Sequence, residues 1–241
     1  MEVIQYSDSC FRMPVPRARY LVVLMMGIAT SSCSSSPPSV PAPPVDAARV
    51  ALRLEWATRV KRPASILFSW SLSNRDARFQ GRGVARVEPP FKARLDLFSG
   101  NGETIARAVL VDDDLRMPIG TPDGIIPPAE LLWGTLGIFR PGNETTLLGA
   151  ENLGDGRIRL RYRRADGLVV RYTVRGGGVE EVERIRQGRT VERVTLEQET
   201  IDHYPSEATY RNLEAFQELR LSRDSAVPVE PYPPDIWLLS P

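Results

Sequence analysis

The chain has 241 residues, with 31 Lys+Arg against 30 Asp+Glu, a single His and two Cys. That balance excludes a nucleic-acid-binding domain built on a basic excess. Two cysteines exclude a disulfide-framed domain, and 42% hydrophobic with 25% charged residues is a globular composition.

The N-terminus reads in three steps. Arg17 and Arg19 are positive, residues 20–28 (YLVVLMMGI) are apolar, and Ala29, Thr30, Ser31 and Ser32 are small. This order predicts a secretory signal peptide over residues 1–32, starting at Met13, because a membrane span needs about 20 apolar residues. The stretch ATSSC (29–33) resembles a bacterial lipoprotein signal. The resemblance implies cleavage before Cys33 and its acylation, palmitate included. Thr30 stands where the pattern prefers a large aliphatic. Several acyl chains on one residue make a stable anchor, which one chain does not. The competing reading is a secreted protein with an incidental cysteine. Ser34, where some inner-membrane lipoproteins carry Asp, favours the outer membrane and the periplasmic face of the envelope. Residues 33–45 then form a lipidated Ser/Pro tether, extended by its prolines.

Removing residues 1–32 leaves 28 basic and 28 acidic residues and no cysteine except Cys33. Residues 46–241 are long enough for one domain held by its core alone.

Residues 46–62 have helical character. Asp46 caps them, Pro63 stops them, and Ala47, Val50, Leu54 and Trp56 share a broad apolar face. Strands follow at 65–72, 78–88 and 91–98. The second places Phe79, Gly81, Gly83, Ala85 and Val87 on one face; the third places Phe91, Ala93, Leu95 and Leu97. A period of two marks half-buried antiparallel strands. SGNG (99–102) is a hairpin turn into 103–111, and DDD (112–114) turns into 115–119. Residues 126–139 (IPPAELLWGTLGIF) are apolar nearly all round, with Pro127 and Pro128 at a helix start. Strands resume at 157–164 and 168–175 around ADG, then at 179–186, 190–199 and 213–222. The proline-broken tail carries Tyr232, Ile236 and Trp237 as anchors. About ten strands and two helices predict a mainly β fold, an open antiparallel β-barrel.

The segment FQGRGVARVEPPFKARLDLFSGNGETIARAVLVDDDLRM (79–117) is similar to the core of the outer-membrane lipoprotein-sorting fold shared by LolA and LolB. That resemblance implies an unclosed barrel with an N-terminal helix and a mid-chain lid helix, binding acyl chains inside. The loop 99–102 lacks the exposed apolar residue that the membrane-anchored LolB carries between strands.

Catalytic signals are weak. His203 in IDHYP, with Asp202, is the one general-base candidate, and a lone loop histidine is poor support for catalysis. Asp112–Asp114 lack the spacing of a calcium loop. GRG (81–83) and GGG (176–178) read as bends and turns. The expectation is no enzyme, no cofactor and no metal site. The candidate ligand site is the apolar interior: Phe68, Trp70, Phe79, Val87, Phe91, Leu95 and Leu97 from the strands, and Leu131, Leu132, Trp133, Leu136 and Phe139 from the lid helix. The same side chains equally describe a filled core. The expected partners are the membrane, through the N-terminal acyl chains, and a lipid or acylated protein; the expected state is a monomer. The alternative is a structural or partner-binding envelope lipoprotein.

Overall fold

The structure is a computed structural model that describes residues 45–122, 124–198 and 203–239. The predicted signal segment, Cys33, most of the tether and Asp202 lie outside them. Residues Ala42–Pro241 form a compact unit of their own with a continuous core, the property expected of a segment that folds alone.

Helix α1 (Ala47–Thr58) comes first. Five strands follow: β1 (Ala64–Ser73), β2 (Arg78–Glu88), β3 (Lys92–Ser99), β4 (Thr104–Val111) and β5 (Asp114–Arg116). Helix α2 (Ala129–Thr135) precedes β6 (Thr145–Gly154), β7 (Arg157–Arg164), β8 (Val169–Arg175) and β9 (Gly178–Arg186). The chain ends with β10 (Arg189–Glu197), β11 (Glu207–Asn212), β12 (Gln217–Pro228) and a 3-10 turn, Pro234–Trp237.

Among the described residues, twelve strands form one antiparallel sheet in the order β5-β4-β3-β2-β1-β12-β11-β10-β9-β8-β7-β6. The order has a simple origin. One meander runs outward from β1 to β5. A second begins at the opposite edge with β6 and runs back until β12 pairs with β1. Residues 117–144 must therefore carry the chain from one edge to the other. Their middle part, α2, packs against β9, β10 and β11. The sheet does not close, since β5 and β6 are its two ends.

Alternation decides which face is inside. Trp70 pairs with Gly81 and Leu221, and Ala85 with Ile66 and Leu95. These inward rows join α2 in one buried cluster. The outward rows are charged. Asp96 is buried beneath Arg86, Arg94 and Arg107 at 2.7, 2.9 and 2.7 Å. Glu183 lies in register between Arg171 and Arg193 and pairs with both.

Several boundaries differ from expectation. α1 ends at Thr58, short of Pro63, where Thr58 Oγ1 turns back to the Leu54 carbonyl at 2.9 Å. Two residues turn a helix by about 200°, so Trp56 stands opposite buried Leu54 and is 62% exposed. The strand expected at 213–222 is β12, displaced towards the C-terminus; residues 213–216 are its turn, with Phe216 at φ 55°. β6 and β11 were not expected. Trp237 does anchor the tail: it is buried, and its Nε1 donates to Glu88 Oε2 at 3.0 Å.

Candidate functional site

The lid segment is shorter than its apolar run. Pro128 precedes α2, and Gly137 at φ 75° ends it, with the Ile138 N–H donating to the Trp133 carbonyl at 3.0 Å. Leu131, Leu132 and Trp133 are buried, as are Leu136 and Phe139 just beyond. Trp133 Nε1 donates to the Asp112 carbonyl at 2.8 Å, which ties α2 to the β4–β5 turn. The Phe139 N–H donates to Thr58 Oγ1 at 2.9 Å, which ties it to the end of α1.

One charge lies in this apolar segment. Glu130 is buried, 3.2 Å from Arg164 and 3.1 Å from Arg184 Nε, the latter an ion pair without hydrogen-bond alignment. Arg184 also pairs closely with Glu192, which accepts from Tyr210 OH at 2.6 Å. α2 is therefore fixed at its first turn by charge and along its length by apolar contact.

Eleven of the twelve expected interior residues belong together. Phe68, Trp70, Val87, Leu95, Leu97, Leu131, Leu132, Trp133, Leu136 and Phe139 share the core cluster, and half-buried Phe91 packs against it. Phe79 does not join them and is 54% exposed. It lies on the inward face opposite Leu72, but β3 begins to cover β2 only at Gly81. The register gives its face, and the missing neighbour leaves it open.

The interior is occupied by the protein's own side chains. Phe139 meets Tyr172 and Tyr162 edge-on at 4.7 and 6.0 Å between centroids. Tyr172 OH donates to the Arg140 carbonyl at 2.8 Å. Burial, then the Glu55 carboxylate, pushes the Tyr162 phenol up to about 12, so it stays neutral.

Beside this core is an open groove of about 510 Å³, lined by Leu52, Trp56, Val60, Pro89, Pro90 and Phe91 with polar Glu55, Arg59 and Lys61 at its rim. Phe91 belongs to both places. One side lines the groove, and its ring meets Trp133 edge-on at 6.1 Å. Sequence reasoning assigned no role to residues 89–90 or to Leu52, because the groove joins segments distant in the chain.

A larger groove of about 750 Å³ lies at the β4–β5 turn, among Asp112, Asp113, Asp114, Arg116, Glu130 and Arg164. Its charges suit water rather than hydrocarbon. Here the acidic run has structural work. Arg140 reaches Asp112 at 3.3 Å and Asp113 at 3.4 Å, and Asp113 accepts from the Asn143 N–H at 2.7 Å. These contacts link the β4–β5 turn to the approach to β6. Among the described residues, no three His, Cys, Asp or Glu side chains gather to hold a metal ion.

His203 is half-buried against Tyr204, ring centroids 5.1 Å apart, and among the described residues its buried Nε2 has no hydrogen-bond partner. Burial first, then the Lys61 charge, holds its pKa below the usual value, against a hydrogen bond to the Arg59 backbone. Among the described residues, no helix is long and apolar enough to cross a membrane.

No family model matches the chain, and no curated protein matches it. Solved structures do. A LolA superfamily protein from Nitrosomonas europaea is similar with a TM-score of 0.55 at 11% identity, over 81% of this chain and 98% of that one. A putative outer membrane lipoprotein-sorting protein domain from Vibrio parahaemolyticus is similar at 0.47 and 11%, over 78% and 94%. The architecture is the LolA/LolB-like fold: an unclosed antiparallel β-sheet with helices against it.

Proposed function

We propose that this chain is an envelope lipoprotein, anchored through Cys33, whose domain binds an acyl chain or an acylated polypeptide without catalysing a reaction. Residues 1–32 are its signal peptide, 33–45 its tether and 46–241 its single domain. The outer membrane is the favoured location. Lipoprotein or lipid traffic is the corresponding role, in keeping with the LolA/LolB-like fold.

The observation that carries this reading is the position of Phe91. An apolar groove open to solvent and an apolar interior covered by a helix meet at half-buried Phe91 and buried Val60, which belong to both. A chain entering beside α1 reaches the interior by turning Phe91 and lifting α2. Leu131, Leu132, Trp133, Leu136 and Phe139 then line it from above, and Phe68, Trp70, Val87, Leu95 and Leu97 from the sheet. The test is organic extraction and mass spectrometry of Ala42–Pro241 after purification. Co-purifying acyl chains support the reading. For the anchor, Cys33→Ala is expected to release the processed protein from the membrane fraction or to leave it uncleaved.

A second reading has its own support. The 4.7 Å contact between Phe139 and Tyr172 and the complete burial of Trp133 describe a core already filled. On that reading the protein binds a partner on its surface, and no lipid co-purifies.

A further inference from the structure

We propose that the outward face of α1 docks on an anionic lipid bilayer. The helix buries only one side. Leu54 and Thr58 are buried, and Ala47, Val50 and Ala51 pack against the core. Leu52 and Trp56, one turn apart on the other side, are 70% and 62% exposed. A soluble helix normally keeps that side polar, so two large apolar residues there mark a contact face.

Their surroundings choose the partner. Arg49 and Arg53 lie on α1, and neither makes an ion pair among the described residues. Arg59 and Lys61 follow the helix, with Arg59 Cζ 5.4 Å and Lys61 Nζ 5.6 Å from the centre of the Trp56 ring. Glu55 is the one acidic residue of the helix. Pro89 and Pro90 extend the apolar surface across the groove. Tryptophan and leucine ringed by four cations suit an interface where hydrocarbon meets anionic headgroups. Indole sits at headgroup depth, and each cation adds attraction to the surface.

Chain length favours a bilayer over an acidic protein. This step rests on the proposed acylation of Cys33. Residues 34–45 separate it from α1, and at about 3.1 Å per residue they hold the helix within about 40 Å of the anchored residue. Docked in this way, α1 turns the groove lined by Leu52, Trp56 and Phe91 towards the lipid.

The test uses Ala42–Pro241, which lacks Cys33 and any acyl anchor. It is sedimented with vesicles of phosphatidylglycerol mixed with phosphatidylcholine, and with phosphatidylcholine alone. Binding is expected to the mixed vesicles and to weaken as salt rises. Leu52→Ser with Trp56→Ser is expected to abolish it. Arg49→Gln with Arg53→Gln is expected to weaken it about 30-fold, at roughly one unit of surface attraction per cation. That second pair lies outside the groove, so fatty-acid binding in solution stays unchanged, and failure here is distinct from failure of acyl binding. An unchanged melting temperature shows that both variants are folded. Absence of binding to the mixed vesicles, equal binding to neutral vesicles, or binding indifferent to the Leu52 and Trp56 changes would overturn the proposal. An acidic protein as the true occupant would give the first of these results.

Discussion

Phe91 is held between two different partners. Its ring stands edge-on to Trp133, at 6.1 Å and 75°, and the Arg140 guanidinium lies 4.0 Å from its centroid. Each contact is worth about 1 kcal/mol. Phe91→Ala is therefore expected to cost about 2 kcal/mol, less than a fully buried phenylalanine. It also removes part of the partition between groove and interior, leaving Val60 in place. Stopped-flow mixing with a fluorescent fatty acid should show faster uptake in this variant. Unchanged uptake would mean that ligands do not pass Phe91.

Glu130 tests how α2 is held. Glu130→Ala leaves Arg184 with Glu192 alone in a largely buried place. Because Arg184 keeps Glu192 and Arg164 keeps Asp166, the cost is about 1–2 kcal/mol, less than for a pair broken to leave a buried charge unpaired. The loss should be concentrated in α2. Hydrogen exchange should accelerate at residues 129–135 before it does in β1 or β12. Uniform acceleration across the sheet would show that α2 is inseparable from the core.

Two groups give pH dependence of the same sign in different windows. His203 has a folded pKa below its ordinary 6.5. Its neutral form therefore contributes stability above about pH 6.5, lost as pH falls through the folded value. Asp96 is pulled up by burial, but hydrogen bonds from Arg94 and Arg107 and the charges of Arg94 and Arg86 outweigh this and hold it below its ordinary 3.8. Its contribution is present above that value and disappears at lower pH still. Melting temperature against pH should fall in both ranges. His203→Gln should flatten the first fall, and Asp96→Asn the second.

Gly81 permits a close crossing of strands. A methyl group there would lie 1.9 Å from the Phe98 carbonyl oxygen and 3.0 Å from the Trp70 ring. Trp70 Nε1 donates to the Arg82 and Phe98 carbonyls at 2.9 and 3.0 Å, so neither neighbour is free to move. Gly81→Ala should cost about 3 kcal/mol, as overpacking at a rigid site does. Chemical denaturation measures it directly, and a change under about 0.5 kcal/mol, the range of ordinary surface substitutions, would show that β2 and β3 can separate there.

Much of the sheet was legible because alternation is a local signal. β2 runs from Arg78 to Glu88 as expected, and the hairpins at 99–102 and 165–167 fall where glycine and aspartate mark them. β6 was not legible. Its sequence TTLLGAENLG is broken by register shifts at Leu147/Gly149 and Asn152/Gly154, which erase the period of two. β11 is six residues of mixed polarity beside a displaced β12. The interior residues were legible as apolar, but alternation fixes a face and not its cover, which is why Phe79 is exposed. The groove needed tertiary structure, since it joins α1 to residues 89–91 across the chain. Glu130 was visible as the one charge in an apolar run, but its partners Arg164 and Arg184 lie on other strands.

The most direct test of acyl binding is titration of Ala42–Pro241 with a fluorescent fatty acid, competed by an unlabelled one. The account predicts saturable binding that competitor displaces, with loss of binding in Leu132→Glu, whose charge would face the acyl chain beneath α2. Absence of saturable binding by the wild type, together with exchange of the α2 amides only through global unfolding, would contradict it and leave the interior as a filled core.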